Sequence, residues 1–297
     1  MNAFKEYVSN FPEALYPSKQ DAVTYYNNVT ILGRQKASES SVIICGICRD
    51  AEKNLKFNVP RIERIGELFN DYKVVVYEND SKDLTKDILE IWQKSNPRVT
   101  VITETLGDKK FGSVASFERA NALADCRNKY LKLVNDTMDS DYVIMLDMDI
   151  EGGWSYEGIC NSLGHTDWDM IGSNGILYGP VDENNNMIDK SDSYGRVYYD
   201  TYAFRRVGHP KPHSSQEINQ LFYNRGEPFI KVMSCFGGLG IYKRDAIRDI
   251  WYSSQKPDSA ACEHVYFHMD MAKNGFDRIY LNPSQITLYS SNPYTYI

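Results

Sequence analysis

The chain has 297 residues, 42% of them hydrophobic, and carries 33 Lys and Arg against 40 Asp and Glu for a formal net charge of −7. That length supports the core of one large α/β domain, and an acidic balance without a long basic run excludes nucleic acid as the expected partner. No apolar run approaches the roughly 18 residues that span a bilayer, the start Met1–Glu6 lacks a signal-peptide core, and six cysteines are too sparse for a disulfide framework; these features predict a soluble, cytoplasmic chain with reduced thiols, or one peripheral to a membrane.

Residues 1–40 are polar and tyrosine-rich without clean periodicity, and read as an N-terminal arm packed on a single domain over 41–297. Ser41–Ile47 predicts a first strand. Cys45-Gly-Ile-Cys48 is similar to a redox or zinc half-site, but with no second Cys-x-x-Cys it reads as packed strand. A helix is expected around 55–70 after an interruption at Pro60, then a second strand over Tyr72–Tyr77 and a helix with Leu84, Ile88 and Ile91 as its apolar stripe. Val99–Glu104 predicts a third strand. Repeated strand-loop-helix units of this length imply right-handed crossovers and a mostly parallel sheet of nucleotide-binding type.

The helix expected from about Ser113 to Val134 places Arg127 on its apolar stripe, where a guanidinium needs a structural carboxylate or a ligand phosphate as partner. Next comes Asp141-Tyr-Val-Ile-Met-Leu-Asp-Met-Asp-Ile-Glu-Gly-Gly153, an apolar strand that ends in two carboxylates one residue apart. Strand side chains alternate faces, so Asp147 and Asp149 converge where the strand meets solvent, a pair of hard oxygens suited to a divalent ion. In open α/β sheets ligands collect at the carboxyl ends of the strands.

Beyond Asp167 the pattern loosens: a strand near Met170–Ser173, a polar turn-rich loop over Gly179–Ser193, an aromatic run Tyr198–Arg206, an edge strand Phe229–Ser234, and a turn of three glycines over Cys235–Gly240. Ala261–Gly275 predicts a helix on which His264 and His268 share a face; with Val-Tyr-Phe between them it is not a zinc-protease helix. A final strand spans Arg278–Asn282.

Taken in order, these segments resemble the GT-A fold of nucleotide-sugar glycosyltransferases. Several are similar to the fungal capsular α-1,3-mannosyltransferase family, glycosyltransferase family 69: Arg127-Asn128, the Tyr-Tyr-Asp-Thr-Tyr-Ala-Phe-Arg run of Tyr198–Arg205, the stretch Lys231–Gly238, and Glu263, His268 and Asp270 on the last helix. The likeness covers roughly residues 41–290. Members of that family begin with a membrane anchor and tend toward Asn-Asp at the acidic strand end, and His264 has no clear counterpart there.

The resemblance implies an α/β, Rossmann-like three-layer sandwich with a nucleotide-binding half over 41–153 and an acceptor-binding half over 154–297. It implies transfer of a hexosyl unit, mannose from GDP-mannose favoured, from a GDP- or UDP-sugar to a hydroxyl of a glycan or glycoconjugate. Mn²⁺ or Mg²⁺ would be held by Asp149 with Asp147 and by His268 as a third ligand. Arg127 would neutralise the diphosphate or pair with an acid, and Asp80 would read the base or ribose. Glu263 and Asp200 compete for the catalytic role, as base if the reaction inverts, or as orienting acids if it retains. Two other classes compete: a non-catalytic glycan- or nucleotide-binding protein, which would tolerate loss of the metal acids, and a haloacid-dehalogenase-like phosphatase, whose nucleophile sits on the first strand, whereas the acidic strand here comes fourth.

Overall fold

The computed structural model describes residues 11–107, 110–112, 116–186, 191, 193–214, 217–218, 221–253 and 261–289. Four apolar runs form the parallel strands β1 (Ser41–Cys48), β2 (Asp71–Asn79), β3 (Val99–Glu104) and β4 (Tyr142–Asp147), ordered β3-β2-β1-β4. The sheet continues through β10 (Leu239–Lys243), β6 (Met170–Pro180), β11 (Ile279–Leu288), β9 (Ile230–Ser234) and β8 (Arg205–Arg206). Along this path, among the described residues, β10 and β9 alone run against the others, so the sheet is mostly parallel. Short β5 (Gly153–Trp154) pairs with β11, and β7 (Tyr194–Tyr198) with β6.

Six helices accompany the sheet among the described residues: α1 (Val23–Ser38), α2 (Glu52–Gly66), α3 (Thr85–Ser95), α4 (Phe117–Thr137), α5 (Tyr156–Leu163) and α6 (Glu263–Lys273). Strand alternation divides the core into two layers. Ile43, Cys45, Val75, Tyr77, Val143 and Met145 face α4 and α6, whereas Val42, Ile44, Val74, Val76, Ile144 and Leu146 face α2, α3 and α5. The result is an α/β three-layer sandwich. Cys45 and Cys48 are buried free thiols within β1, in keeping with a packed strand. Among the described residues no helix is long and apolar enough to cross a membrane.

Several elements differ from the sequence expectation. Helix α2 starts at Glu52 and carries Pro60 in its interior. Proline removes the bond to the Lys56 carbonyl, and both residues lie on the exposed face, where water can take that carbonyl. On α3 the buried positions are Thr85, Leu89 and Trp92, while Leu84 and Ile91 are exposed. The stripe was misassigned because Trp92, the largest apolar side chain of the helix, turns its face toward α2, where Glu63 accepts from its indole at 2.9 Å. Strand β6 extends to Pro180 and the chain returns through β7 from Tyr194, so of the expected loop only Gly179 and Pro180 belong to a strand; residues 187–190 and 192 lie outside the described residues. Strand β11 passes Pro283 and continues to Leu288 because a register shift between Asn282 and Ile286 absorbs the missing donor. Helix α4 begins at Phe117, capped by the Ser116 hydroxyl; the expected start at Ser113 lies outside the described residues.

Candidate functional site

Strand β4 delivers Asp147 at its carboxyl end, and the chain then turns through Met148 to Glu151. Met148 and Ile150 are buried, which directs the intervening Asp149 outward. Helix α2 supports this turn with one polar stripe. Asn58 Nδ2 donates to the carbonyls of Met148 at 2.9 Å and Ile150 at 2.7 Å, Arg61 Nη1 donates to Glu151 O at 2.8 Å, and Asn54 donates to Asp149 O. Gly153, at φ +86°, then leads into β5.

Because β10 is antiparallel to β4, the glycine turn preceding it lies at the same end of the sheet as the acids. Asp147 N donates to Gly238 O at 3.1 Å, and Gly237 N donates to Asp200 Oδ2 at 2.8 Å. Gly237 has φ +64°, and a Cβ there would lie 2.1 Å from Ser173 O on β6. The turn therefore packs its backbone directly against a neighbouring strand. Asp200, directly after β7, holds a left-handed backbone at φ +75°, unusual for a non-glycine residue, and Ala203 N donates to its Oδ1 at 3.1 Å.

Arg127 occupies the centre. It is 4% exposed; its Nε donates to Glu263 Oε1 at 3.0 Å, and its Nη2 to Asp147 Oδ1 at 3.3 Å. The guanidinium also lies 5.4 Å from the Phe236 ring and 5.7 Å from that of Tyr252, so desolvation is offset by two carboxylates and two aromatic faces. Both ion-pair partners of Arg127 among the described residues are carboxylates.

Electrostatics tie these groups together. Burial pushes the Asp147 carboxyl up to about 7; Arg127 opposes the shift, while Asp149, Asp200 and Glu263 add to it. Asp149 is exposed as a residue, yet the surrounding protein displaces enough water from its carboxyl to raise its pKa, opposed first by its own backbone N–H and then by Arg119 and Arg127. Burial likewise lifts Asp200 to about 6, opposed by its backbone donors. The corner holds more negative charge than its cations neutralise.

Three expected site residues take other positions. His268 is fully buried, with Nδ1 2.9 Å from Ser234 Oγ and Nε2 3.0 Å from Tyr242 Oη, so neither nitrogen is free for a metal; burial lowers its pKa to about 3. It is a core histidine as arranged here. Among the described residues, no group of three or more His, Cys, Asp and Glu side chains converges to hold a metal. Glu263 is 2% exposed, its Oε1 held by Arg127 and its Oε2 accepting from Cys262 Sγ at 3.3 Å. Asp80 Oδ1 accepts from Leu106 N at 3.0 Å and Gly107 N at 2.9 Å, which staples the segment after β3.

Sequence reasoning missed the Asn54, Asn58, Arg61 stripe. The stripe was detectable as polar residues at i, i+4 and i+7 on a helix whose neighbouring positions 55, 62 and 65 are apolar.

No protein-family model matches the chain, and no curated protein matches it. Comparison with solved structures finds similarity at low identity. The Pyrobaculum calidifontis mannosyltransferase PcManGT, solved with GDP-Man and Mn²⁺, is 12% identical over 93% of this chain and 68% of that one, with a TM-score of 0.46. A fragment of S. aureus TarS is 14% identical over 84% and 60%, with a TM-score of 0.45. M. tuberculosis glucosyl-3-phosphoglycerate synthase is 11% identical over 89% and 77%, with a TM-score of 0.46.

Proposed function

We propose that the chain is a GT-A-type glycosyltransferase that uses a divalent metal to transfer a hexosyl unit from a nucleoside diphosphate sugar to a glycan hydroxyl. The observation that carries this reading is the corner at the end of β4, where Asp147, Asp149, Asp200 and Glu263 share one electrostatic neighbourhood around Arg127. The sequence resemblance favours mannose from GDP-mannose.

The donor set fits Mn²⁺ or Mg²⁺. Such ions take one or two carboxylates and complete their shell with phosphates and water, and Asp149 with Asp147 supplies that number of hard oxygens in a corner whose acids outnumber its cations. When bound, the ion would neutralise the departing diphosphate. Asp149, the exposed acid, would be the main ligand; Asp147, restrained by Arg127, would share the ion or bond the ribose.

Buried Glu263 cannot reach an acceptor without breaking its bond to Arg127. Its role in this reading is to position that guanidinium. Asp200 is the better catalytic carboxylate: it is half-buried, its pKa lies near neutrality, and both oxygens keep a lone pair beyond their backbone donors. It would accept a hydrogen bond from the acceptor hydroxyl. Asp80, engaged with the segment after β3, would shape the base pocket through that segment.

The test is a thermal-shift panel of GDP, UDP and their sugars, with and without Mn²⁺. One donor at a hundred times its Kd should stabilise the fold by about 2.7 kcal/mol, and only with metal. Asp149→Ala should fold normally and lose that metal-dependent shift. An unchanged shift in the variant, or no response from any nucleotide, would overturn the reading.

A further inference from the structure

Helix α1 carries apolar side chains on both of its faces. Its inner face is set by α5: Tyr26, Val29, Thr30, Gly33 and Ala37 are buried, Tyr26 Oη donates to Glu157 Oε2 at 3.1 Å, and Asn161 Nδ2 donates to Thr30 Oγ1 at 3.3 Å. The two backbones nearly touch. A Cβ on Gly33 would lie 1.6 Å from Cys160 O, and one on Gly164, just past α5, would lie 2.0 Å from Val29 O. Contact this close leaves α1 no freedom to roll about its axis, so its outer face is fixed as well.

That outer face consists of two adjacent rows, Thr24, Ile31 and Gln35 in one and Tyr25, Asn28 and Leu32 in the other, all exposed. Tyr25 is 60%, Ile31 65% and Leu32 57% exposed, and with Val23 they make four of the twelve large apolar side chains exposed among the described residues. Scattered exposed apolar residues are ordinary, whereas several on one rigid helix mark a contact surface. Arg34 and Lys36 flank the face on its two sides, and the helix contains no acid, in a chain of net charge −7. Asp21 and Glu39 lie beyond its ends, with Glu39 engaged by Gln35 Nε2 at 3.0 Å.

We infer that α1 is a docking helix for an anionic phospholipid surface, lying flat on it with Tyr25, Ile31 and Leu32 in the headgroup boundary and Arg34 and Lys36 on lipid phosphates. Three observations favour this occupant. The formal charges along the helix are all cationic, and long basic side chains can reach phosphates while their stems stay among apolar neighbours. Asn28 and Gln35 stand between the apolar tips, and a hydrated headgroup layer accommodates their amides where a dry protein interface would strip them of water. A second copy of the chain, related by a two-fold axis, would bring Arg34 and Lys36 of both copies onto one interface and set like charges together. None of these residues belongs to the acid corner.

The experiment is co-sedimentation of the full chain with vesicles of phosphatidylcholine alone and of phosphatidylcholine mixed with phosphatidylserine, at low and high salt, beside analytical ultracentrifugation without lipid. The wild type should bind the mixed vesicles, bind them less at high salt, and prefer them to phosphatidylcholine alone. Ile31→Ser with Leu32→Ser should weaken binding by about tenfold or more, at an unchanged melting temperature because both side chains already face solvent. Arg34→Gln with Lys36→Gln should cost roughly fivefold per cation on the mixed vesicles and little on phosphatidylcholine alone. Absence of wild-type binding to mixed vesicles overturns the inference, and so does wild-type binding in both double variants. A lipid-free dimer that the serine pair converts to monomer overturns it too, since a second copy would then cover the face. If the serine pair does not fold, the glutamine pair decides.

Discussion

Substitution of Glu263 by Ala separates a buried positioning acid from a catalytic one. The change leaves the Arg127 guanidinium, itself 4% exposed, with Asp147 at 3.3 Å as its remaining ion-pair partner. Removal of one member of a buried ion pair strands the other charge in a poorly solvated place, at about 3 to 5 kcal/mol. Unfolding entropy of about 2.1 cal/mol/K per residue gives roughly 0.6 kcal/mol/K for a chain of this length, so the melting temperature should fall by about 5 to 8 °C. Glu263→Gln retains an acceptor for Arg127 Nε and loses only the charge, so its loss should be smaller. Urea and thermal melts of the metal-free protein at pH 7.5 measure both. A shift within about 1 °C for Glu263→Ala, as expected of a solvent-facing acid, would refute the argument and return Glu263 to the list of possible bases.

Asp147→Asn should test the crowding of the corner. The folded pKa of Asp147, about 7, lies above its ordinary 3.8, so the stability linked to its proton is present at low pH and lost as pH rises through 7. The metal-free variant should therefore melt at least as high as the wild type at pH 8, with the advantage gone below pH 4; a lower melting temperature at pH 8 contradicts it. For His268 the sign is opposite. Its folded pKa of about 3 lies below the ordinary 6.5, so the unfolded chain takes up a proton that the core refuses, and stability falls as pH drops below 6.5. The stability gap between wild type and His268→Asn should narrow between pH 6.5 and 4.5, and a constant gap would count against a neutral buried imidazole. Asp200→Asn should reduce turnover by about a hundredfold or more with donor affinity within a factor of three; an equal loss in both would make Asp200 a donor-binding residue.

The strand ends and their acids were legible because alternation and burial are local properties. Two carboxylates at i and i+2 beyond an apolar run already said where they would emerge. Arg127 was legible as a problem, a charge on an apolar stripe, but its solution was not: Glu263 lies 136 residues away, and only the packing of α4 against α6 brings the two together. His268 misled for the same reason. A histidine pair at i, i+4 looks alike whether its partners are a metal or the hydroxyls of Ser234 and Tyr242, and those hydroxyls come from β9 and β10. Pro283 reads locally as a strand end, whereas the register shift that tolerates it belongs to the pairing with β6.

The reversed strand β10 also governs when the molecule can assemble during synthesis. Until residues 239–243 emerge, β4 presents an open hydrogen-bonding edge flanked by residues that are wholly buried in the finished sheet. Roughly a hundred residues must be translated in that interval, so the nascent N-terminal half of the sheet is a candidate for chaperone capture or for β-pairing with its own kind. Synonymous codons that slow the ribosome between β4 and β10 should lower soluble yield, whereas the same slowing placed after β11 should not.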